Sequence, residues 1–380
     1  MKIDDKTSHN SPSIRFPEFT GEWKYFSIND VCSEFKSGKN IKADLISSNG
    51  NFPVYGGNGL RGYTSSYNHD GLYVLIGRQG ALCGNVRSVF GKIYITEHAI
   101  AVAGNEKSDT NFLHYLFLKM NLGQYSDQSA QPGLAVNKLL KLKVLLPSIS
   151  EQIKIAKLLS LLDERIAVQS RLIDRLQSLI KGINRTIFTG SGLEYSLCDV
   201  CEIRSGYSGN QLQGGKGLGV SRIETISAHN INLERIGYVA PFDASENYRL
   251  QVGDILFSNI NSVEYIGNTA FIDKDYNLYH GMNLLRLIPF RNVVVPFYLY
   301  ILLNTNRMLK HFKTICNKAV SQASINQKEL GKTIVMLPSL EKQKQVCNIY
   351  QAMYSKLKTE KDVLSFYQEQ KRYLLRHMFI

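Results

Sequence analysis

Apolar residues follow two regimes along this chain of 380 residues. In the first they come in short runs, such as Tyr73-Val74-Leu75-Ile76 and Asp254-Ile255-Leu256-Phe257, punctuated by glycine and asparagine. Such runs predict strands joined by loops. Longer apolar patches near 112–122 and 297–312 predict helices. In the second regime apolar residues step by three and four. After Pro147 they occupy Ile155, Leu159, Leu162, Ile166, Ile173, Leu176, Ile180, Ile183 and Ile187, interrupted at Gln169. Shifted by 191, the seam reads Val346, Tyr350, Met353, Leu357, Glu360, Leu364, Tyr367, Lys371, Leu374 and Met378. Each seam predicts a helix of about 38 residues, about 57 Å long. A narrow stripe that long outruns the domain before it, so the two helices are expected to pair as an antiparallel coiled coil. Gln169 and Glu360, at the same step of each seam, are expected to fix its register.

The rest of the chain is also written twice. Ser27-Ile28-Asn29-Asp30-Val31-Cys32 returns as Ser196-Leu197-Cys198-Asp199-Val200-Cys201, and Leu146-Pro147-Ser148-Ile149-Ser150-Glu151-Gln152 as Leu337-Pro338-Ser339-Leu340-Glu341-Lys342-Gln343. Ser129-Ala130-Gln131 with Val136-Asn137 is echoed by Ser321-Gln322-Ala323 with Ile325-Asn326. The offset grows from 169 to 191, so the second copy holds about twenty extra residues, and the period is far longer than a solenoid's. The predicted fold is α+β: two tandem mixed α/β domains, each followed by a long helix. The boundaries are a flexible tail at 1–14, domains at 15–150 and 191–340, and helices at 151–190 and 341–380.

Composition adds a partner class. The net charge is +13, and the two helical segments carry more than half of the excess, with 7 basic against 4 acidic residues at 151–188 and 8 against 4 at 341–380. A basic chain of this kind is a candidate for a polyanion. The polar N-terminus and six sparse cysteines predict a cytoplasmic chain with reduced thiols and no membrane span. Cys198 and Cys201 have zinc-knuckle spacing, but Cys201 matches Cys32 and Cys198 matches Asn29, which fits a buried strand better than a metal site.

Catalytic patterns fail on inspection. Gly57-Asn58-Gly59-Leu60-Arg61-Gly62 spells a dinucleotide fingerprint, yet Pro53 sits in the strand required before it and no helical periodicity follows. The run from Gly209 to Lys216 nearly spells a P-loop, but the lysine is displaced and Gly217 stands where Ser or Thr must hold magnesium. No adenine-methyltransferase, zinc-protease or serine-hydrolase motif appears. His98 and His280 lie near apolar runs and read as structural. No catalytic and no metal-ligating residue is predicted.

The loops instead offer polar and basic side chains among glycines. The first copy supplies Lys36, Lys39, Asn40, Arg61, Tyr63, Arg78, Gln79 and Arg87; the second supplies Arg204, Asn210, Gln211, Gln213, Lys216, Arg222, Asn259 and Asn261. Arg, Asn and Gln make bidentate hydrogen bonds to base edges, and lysines and glycine amides suit phosphates. Two such clusters on one duplicated scaffold fit a bipartite DNA target. Arg61, Arg78 and Gln79 are expected to read bases in one half, and Asn210, Lys216, Arg222, Asn259 and Asn261 in the other.

Taken together, the chain resembles the specificity subunits of type I restriction-modification systems over essentially its whole length. The motifs are residues 23–38, Val54-Tyr55-Gly56-Gly57-Asn58-Gly59, Gly77-Arg78-Gln79-Gly80, Gly253-Asp254-Ile255-Leu256-Phe257-Ser258, Gln131-Pro132-Gly133-Leu134 and the twice-used Leu146–Gln152 run. The resemblance implies two target recognition domains and a pair of spacer helices that sets the gap between half-sites and docks two modification subunits. It further implies two motor-nuclease subunits in a phage-defence complex. S-adenosylmethionine, ATP and magnesium would sit on those partners, none on this chain. Lys342, Lys344 and Lys371 make the second closing motif and seam more basic than the first. Two alternatives stand beside this reading: a stand-alone DNA-binding regulator, and the recognition part of a fused restriction or methylation enzyme.

Overall fold

The computed structural model describes residues 11–127, 132–187, 192–227, 229–318 and 322–380. Tail residues 1–10, the boundary at 190–191, Ser129, Ala130, Gln131, Ser321 and the side chain of Ile187 lie outside the described residues. The chain divides into two compact units, Met1–Arg171 with Lys361–Ile380, and Leu172–Glu360.

Unit 1 is built on a six-stranded sheet in the order Cys32–Ser37, Ala99–Gly104, His69–Gly77, Val86–Ile95, Phe52–Gly56, Gly59–Thr64. Neighbours are antiparallel except for the parallel pairing of Phe52–Gly56 with Val86–Ile95. The run at 73–76 does not alternate because both sheet faces are covered. Val74, Ile76, Ile100 and Val102 pack with Phe112, Leu113, Leu116 and Phe117 of the helix Thr110–Met120, while Leu75, Ile93, Ile95 and Ala101 form a second cluster. Asp109 caps that helix, its carboxylate accepting from Phe112 N at 2.8 Å. Pro53 does lie in a strand, contrary to the objection raised from sequence. Only Val54 and Tyr55 pair with Val86–Ile95, so the missing N–H of Pro53 falls outside that ladder.

Unit 2 has a four-stranded antiparallel sheet, ordered Cys201–Ser205, Leu285–Pro289, Ile255–Phe257, Thr269–Phe271. The expected single helix near 297–312 is two, Pro296–Leu303 and Asn306–Ile315. Thr305 caps the second of them, its side chain accepting from Met308 N. A buried ion pair, Asp254 to Arg286 at 2.7 Å, ties the sheet to the loop before it: Asp254 also accepts from Gln251 N, and Arg286 donates to Asn247 O. Extra residues of the second copy form the small ribbon Leu218–Val220 with Gly237–Val239, beside a stack of Tyr207 on Phe242. Cys201 is buried, whereas Cys198 is exposed on a single helical turn, so the pair is not two buried strand thiols.

The duplication shows best where each unit meets its helix. Lys24–Ser27 pairs with Lys143–Leu146 in one copy, and Leu193–Ser196 with Ile334–Leu337 in the other. The long helices are Ile149–Ile187 and Leu340–His377. Gln152, fully buried, accepts from Asp109 N (2.9 Å) and donates to Lys107 O and Pro147 O (both 3.0 Å). Gln343 repeats the arrangement, accepting from Val295 N (2.8 Å) and donating to Val293 O (3.3 Å) and Pro338 O (2.9 Å).

Within unit 1, Ile155 and Leu159 at the start of the first helix share a core with Leu374, Met378 and Phe379 at the end of the second. Within unit 2, Ile180 and Ile183 share a core with Val346, Tyr350, Met353 and Leu357. Of the seam residues, Leu159, Leu162, Ile173 and Ile180 are buried; Ile166, Leu176, Met353, Leu357, Leu364, Tyr367 and Leu374 are half-buried. Residues Ser13 and Ile14 of the expected tail bond to His377, Ile14 N donating to its carbonyl at 2.9 Å.

Candidate nucleic-acid interface

In unit 1 the glycine fingerprint folds as a β-hairpin, Phe52–Gly56 and Gly59–Thr64 around Gly57-Asn58. A strand, not a helix, follows the glycines, so the helix N-terminus that would meet a pyrophosphate is absent from this loop. Glycine is needed at Gly57 because a methyl there would lie 2.7 Å from His98 O, and at Gly59 because its φ is +101°. This close approach draws polar side chains to the hairpin's turn. Arg61 runs along Gly56, where a methyl would fall 2.9 Å from its Cδ, and the Arg87 guanidinium lies over Gly59. The Arg78 amide donates to His98 O at 2.9 Å, and the Gln79 side chain bonds the His98 ring at 3.0 Å. Lys39, exposed, is anchored through its amide to Ile95 O, one residue before Thr96.

Lys36 and Tyr63 belong to other groups. Lys36 pairs with Glu34 at 3.3 Å, and Glu34 also meets His69 at 2.9 Å. Tyr63 is half-buried and exchanges both backbone hydrogen bonds with Ser47. Arg87 and His98 complete the cluster that the sequence only half disclosed. His98 reads as structural beside an apolar run, but its side chain is 44% exposed. The signal available was its place in a turn directly after Thr96-Glu97.

In unit 2 the candidates split into three settings. Gln211 and Arg222 flank Gly237 of the small ribbon, where any side chain at that glycine would collide with both. Asn210 and Lys216 are exposed in the stretch before the ribbon, Lys216 among Gly214, Gly215 and Gly217, all at positive φ. Arg204 is engaged elsewhere: its guanidinium grips Glu202 at 2.6 and 2.9 Å, which holds that carboxyl below its ordinary range. Asn259 and Asn261 hold their own loop. Asn259 donates to Ile325 O (3.3 Å), while Asn261 donates to Ser258 Oγ (3.1 Å) and accepts from Ser262 N (2.8 Å). His280 is buried, and its Nε2 bonds Leu284 O at 3.0 Å; burial pushes the imidazole down to about 4.

No group of three or more metal-ligating side chains occurs among the described residues, and none of their helices is long and apolar enough to cross a membrane. Each unit thus has the same glutamine joint to a long helix, and the polar side chains exposed on the two units differ. A family model for the type I restriction modification DNA specificity domain matches residues 20–178 and 193–365, and the chain belongs to that family. It is similar to the EcoprrI type I restriction enzyme specificity subunit of Escherichia coli, 42% identical over 154 residues, 40% of this chain and 38% of that one. A putative MjaX type I restriction enzyme specificity subunit of Methanocaldococcus jannaschii is 38% identical over 187 residues, 48% of this chain and 44% of that one. The matched stretches thus span about two fifths of the length of these curated relatives. The fold matches a crystal structure of the type I restriction-modification S subunit from M. genitalium, with a TM-score of 0.69, 18% identity, and coverage of 97% of this chain and 99% of that one.

Proposed function

We propose that this chain is the DNA-reading subunit of a type I restriction-modification complex, each recognition domain reading one half of a bipartite duplex target. The observation that carries the reading is the contrast between constant joints and divergent loops. Gln152 and Gln343 fasten both domains to their helices in one way, while the hairpin cluster of unit 1 and the ribbon cluster of unit 2 expose different base-reading side chains. Two similar holders with unlike surfaces suit two different half-sites.

The long helices are read as one antiparallel coiled coil that sets the gap between half-sites and docks two modification subunits. The shared cores at both helix ends support this, as does a run of exposed apolar residues, Leu161, Val168, Leu172 and Leu179, on the outer side of the first helix. Methyl transfer, cleavage and their S-adenosylmethionine, ATP and magnesium are assigned to modification and motor-nuclease partners, and this chain is read as non-catalytic. The test is co-purification with modification subunits, followed by genome-wide mapping of methylated adenine. Methylation confined to the complex, at a split motif, is expected. Methylation or nicking by the purified chain alone would overturn the reading in favour of a fused enzyme. DNA binding with no such partner would favour a solitary regulator.

A further inference from the structure

Each globular part is fastened to the helices at a second point, and there the copies differ. In unit 1, Asp163 of the first long helix accepts from the Tyr115 hydroxyl at 2.9 Å and meets Lys371 Nζ at 2.5 Å. Lys371 also lies 5.7 Å from the centre of the Tyr115 ring. One carboxylate therefore joins the helix Thr110–Met120, the first long helix and the second. Lys371, the cation that interrupts the second seam, is the partner this carboxylate requires.

In unit 2 the repeat places Tyr354 where Asp163 stands and Ile180 where Lys371 stands, and the match of Asp109 with Val295 puts Ile301 in the place of Tyr115. Ile180 and Ile301 are buried in one core with Tyr350 and Met353. Apolar packing is non-directional and tolerates small slides. A carboxylate shared between a hydroxyl and an ammonium is satisfied in far fewer geometries.

We propose that Asp163, with Lys371, is a positioning residue that fixes how the first recognition domain is set on the helices, and through that the spacing at which the two half-sites are accepted. The proposal rests on the bipartite reading above. The experiment uses the full chain bound to its modification subunits. Its probes are duplexes carrying the two half-sites mapped from methylated adenine, with the native gap or one base pair more or less. Lys371→Met is expected to lower the preference for the native gap by about fivefold, equivalent to about 1 kcal/mol. Binding to a duplex with the first half-site alone should stay unchanged. Exchanging the charges, Asp163→Lys with Lys371→Asp, is expected to restore most of the preference. An unchanged preference in Lys371→Met overturns the proposal, as does loss of first half-site binding along with it, or no recovery in the exchanged pair. A wild-type complex that is blind to the gap would instead overturn the bipartite reading itself.

Discussion

Arg61 and Lys216 share a charge but not a setting. Arg61 runs along Gly56 of a tight hairpin whose turn meets His98 O at Gly57 and the Arg87 guanidinium at Gly59. Lys216 stands exposed among three glycines at positive φ. Arg61→Ala is therefore expected to cost about 1–3 kcal/mol and to relax discrimination at one base pair. Lys216→Ala should weaken all sequences alike and lower the salt slope by about one. Competition binding against single-base-pair variants at two salt concentrations separates the two. Equal weakening of every duplex by Arg61→Ala would make it a phosphate contact. The residue types of the candidate interface were legible in the sequence, but their grouping was not. Asn259 and Asn261 look like base readers in the sequence, and only folding shows Ile325 and Ser258 within their hydrogen-bond reach, as it shows Glu202 paired with Arg204.

His280 makes a second prediction at this scale. Its folded value of about 4 lies below the ordinary 6.5, so the unfolded chain binds this proton more readily. Stability from this group is whole above pH 6.5 and is lost as pH falls toward 4. Between pH 7 and pH 5 the loss is about 2 kcal/mol. Urea unfolding at both pH values should show it, and His280→Gln should flatten the dependence. His114 in unit 1, also pushed down to about 4 by burial and by Lys371, leaves a residual slope in that variant.

Among the elements, the closing motif is the clearest case of a pattern whose meaning needed the fold. Its recurrence at 146–152 and 337–343 was plain, and so were the helices that follow. Its role was hidden because, besides the carbonyls of Pro147 and Pro338 in the motif itself, the atoms Gln152 and Gln343 bind lie 43–50 residues upstream, on loops that carry no shared motif. Strand pairing was equally hidden: the apolar runs predict strands, but the order that puts Phe52–Gly56 between Val86–Ile95 and Gly59–Thr64 depends on long-range contacts. Gln343→Leu would leave Val295 N–H and the carbonyls of Val293 and Pro338 without this partner inside a buried joint. A cost of about 2–4 kcal/mol is expected, since each stranded polar group carries its own desolvation penalty. Urea unfolding of Gln343→Leu and Gln152→Leu checks this, and the two should fall by similar amounts. A cost near zero at either site would mean that the joint is held by packing alone.

At the scale of the whole molecule, two separate cores constrain the helices at once. Unit 1 ties Ile155 and Leu159 to Leu374 and Met378, and unit 2 ties Ile180 and Ile183 to Met353 and Leu357. Lengthening one helix between these anchors cannot preserve both sets of contacts. A heptad inserted after Ser170 alone is therefore expected to lower the melting temperature sharply and to impair co-purification with modification subunits. A matching heptad inserted after Lys361 as well gives each helix the same added length, about 10 Å at 1.5 Å per residue, and keeps the apolar step in phase. That doubly lengthened chain should regain the wild-type melting temperature in a circular-dichroism melt, because both cores re-form. On the proposed bipartite reading it should nevertheless lose affinity for the original target while still binding each half-site alone. Retention of the original target by the doubly lengthened chain would show that the helices do not set the gap.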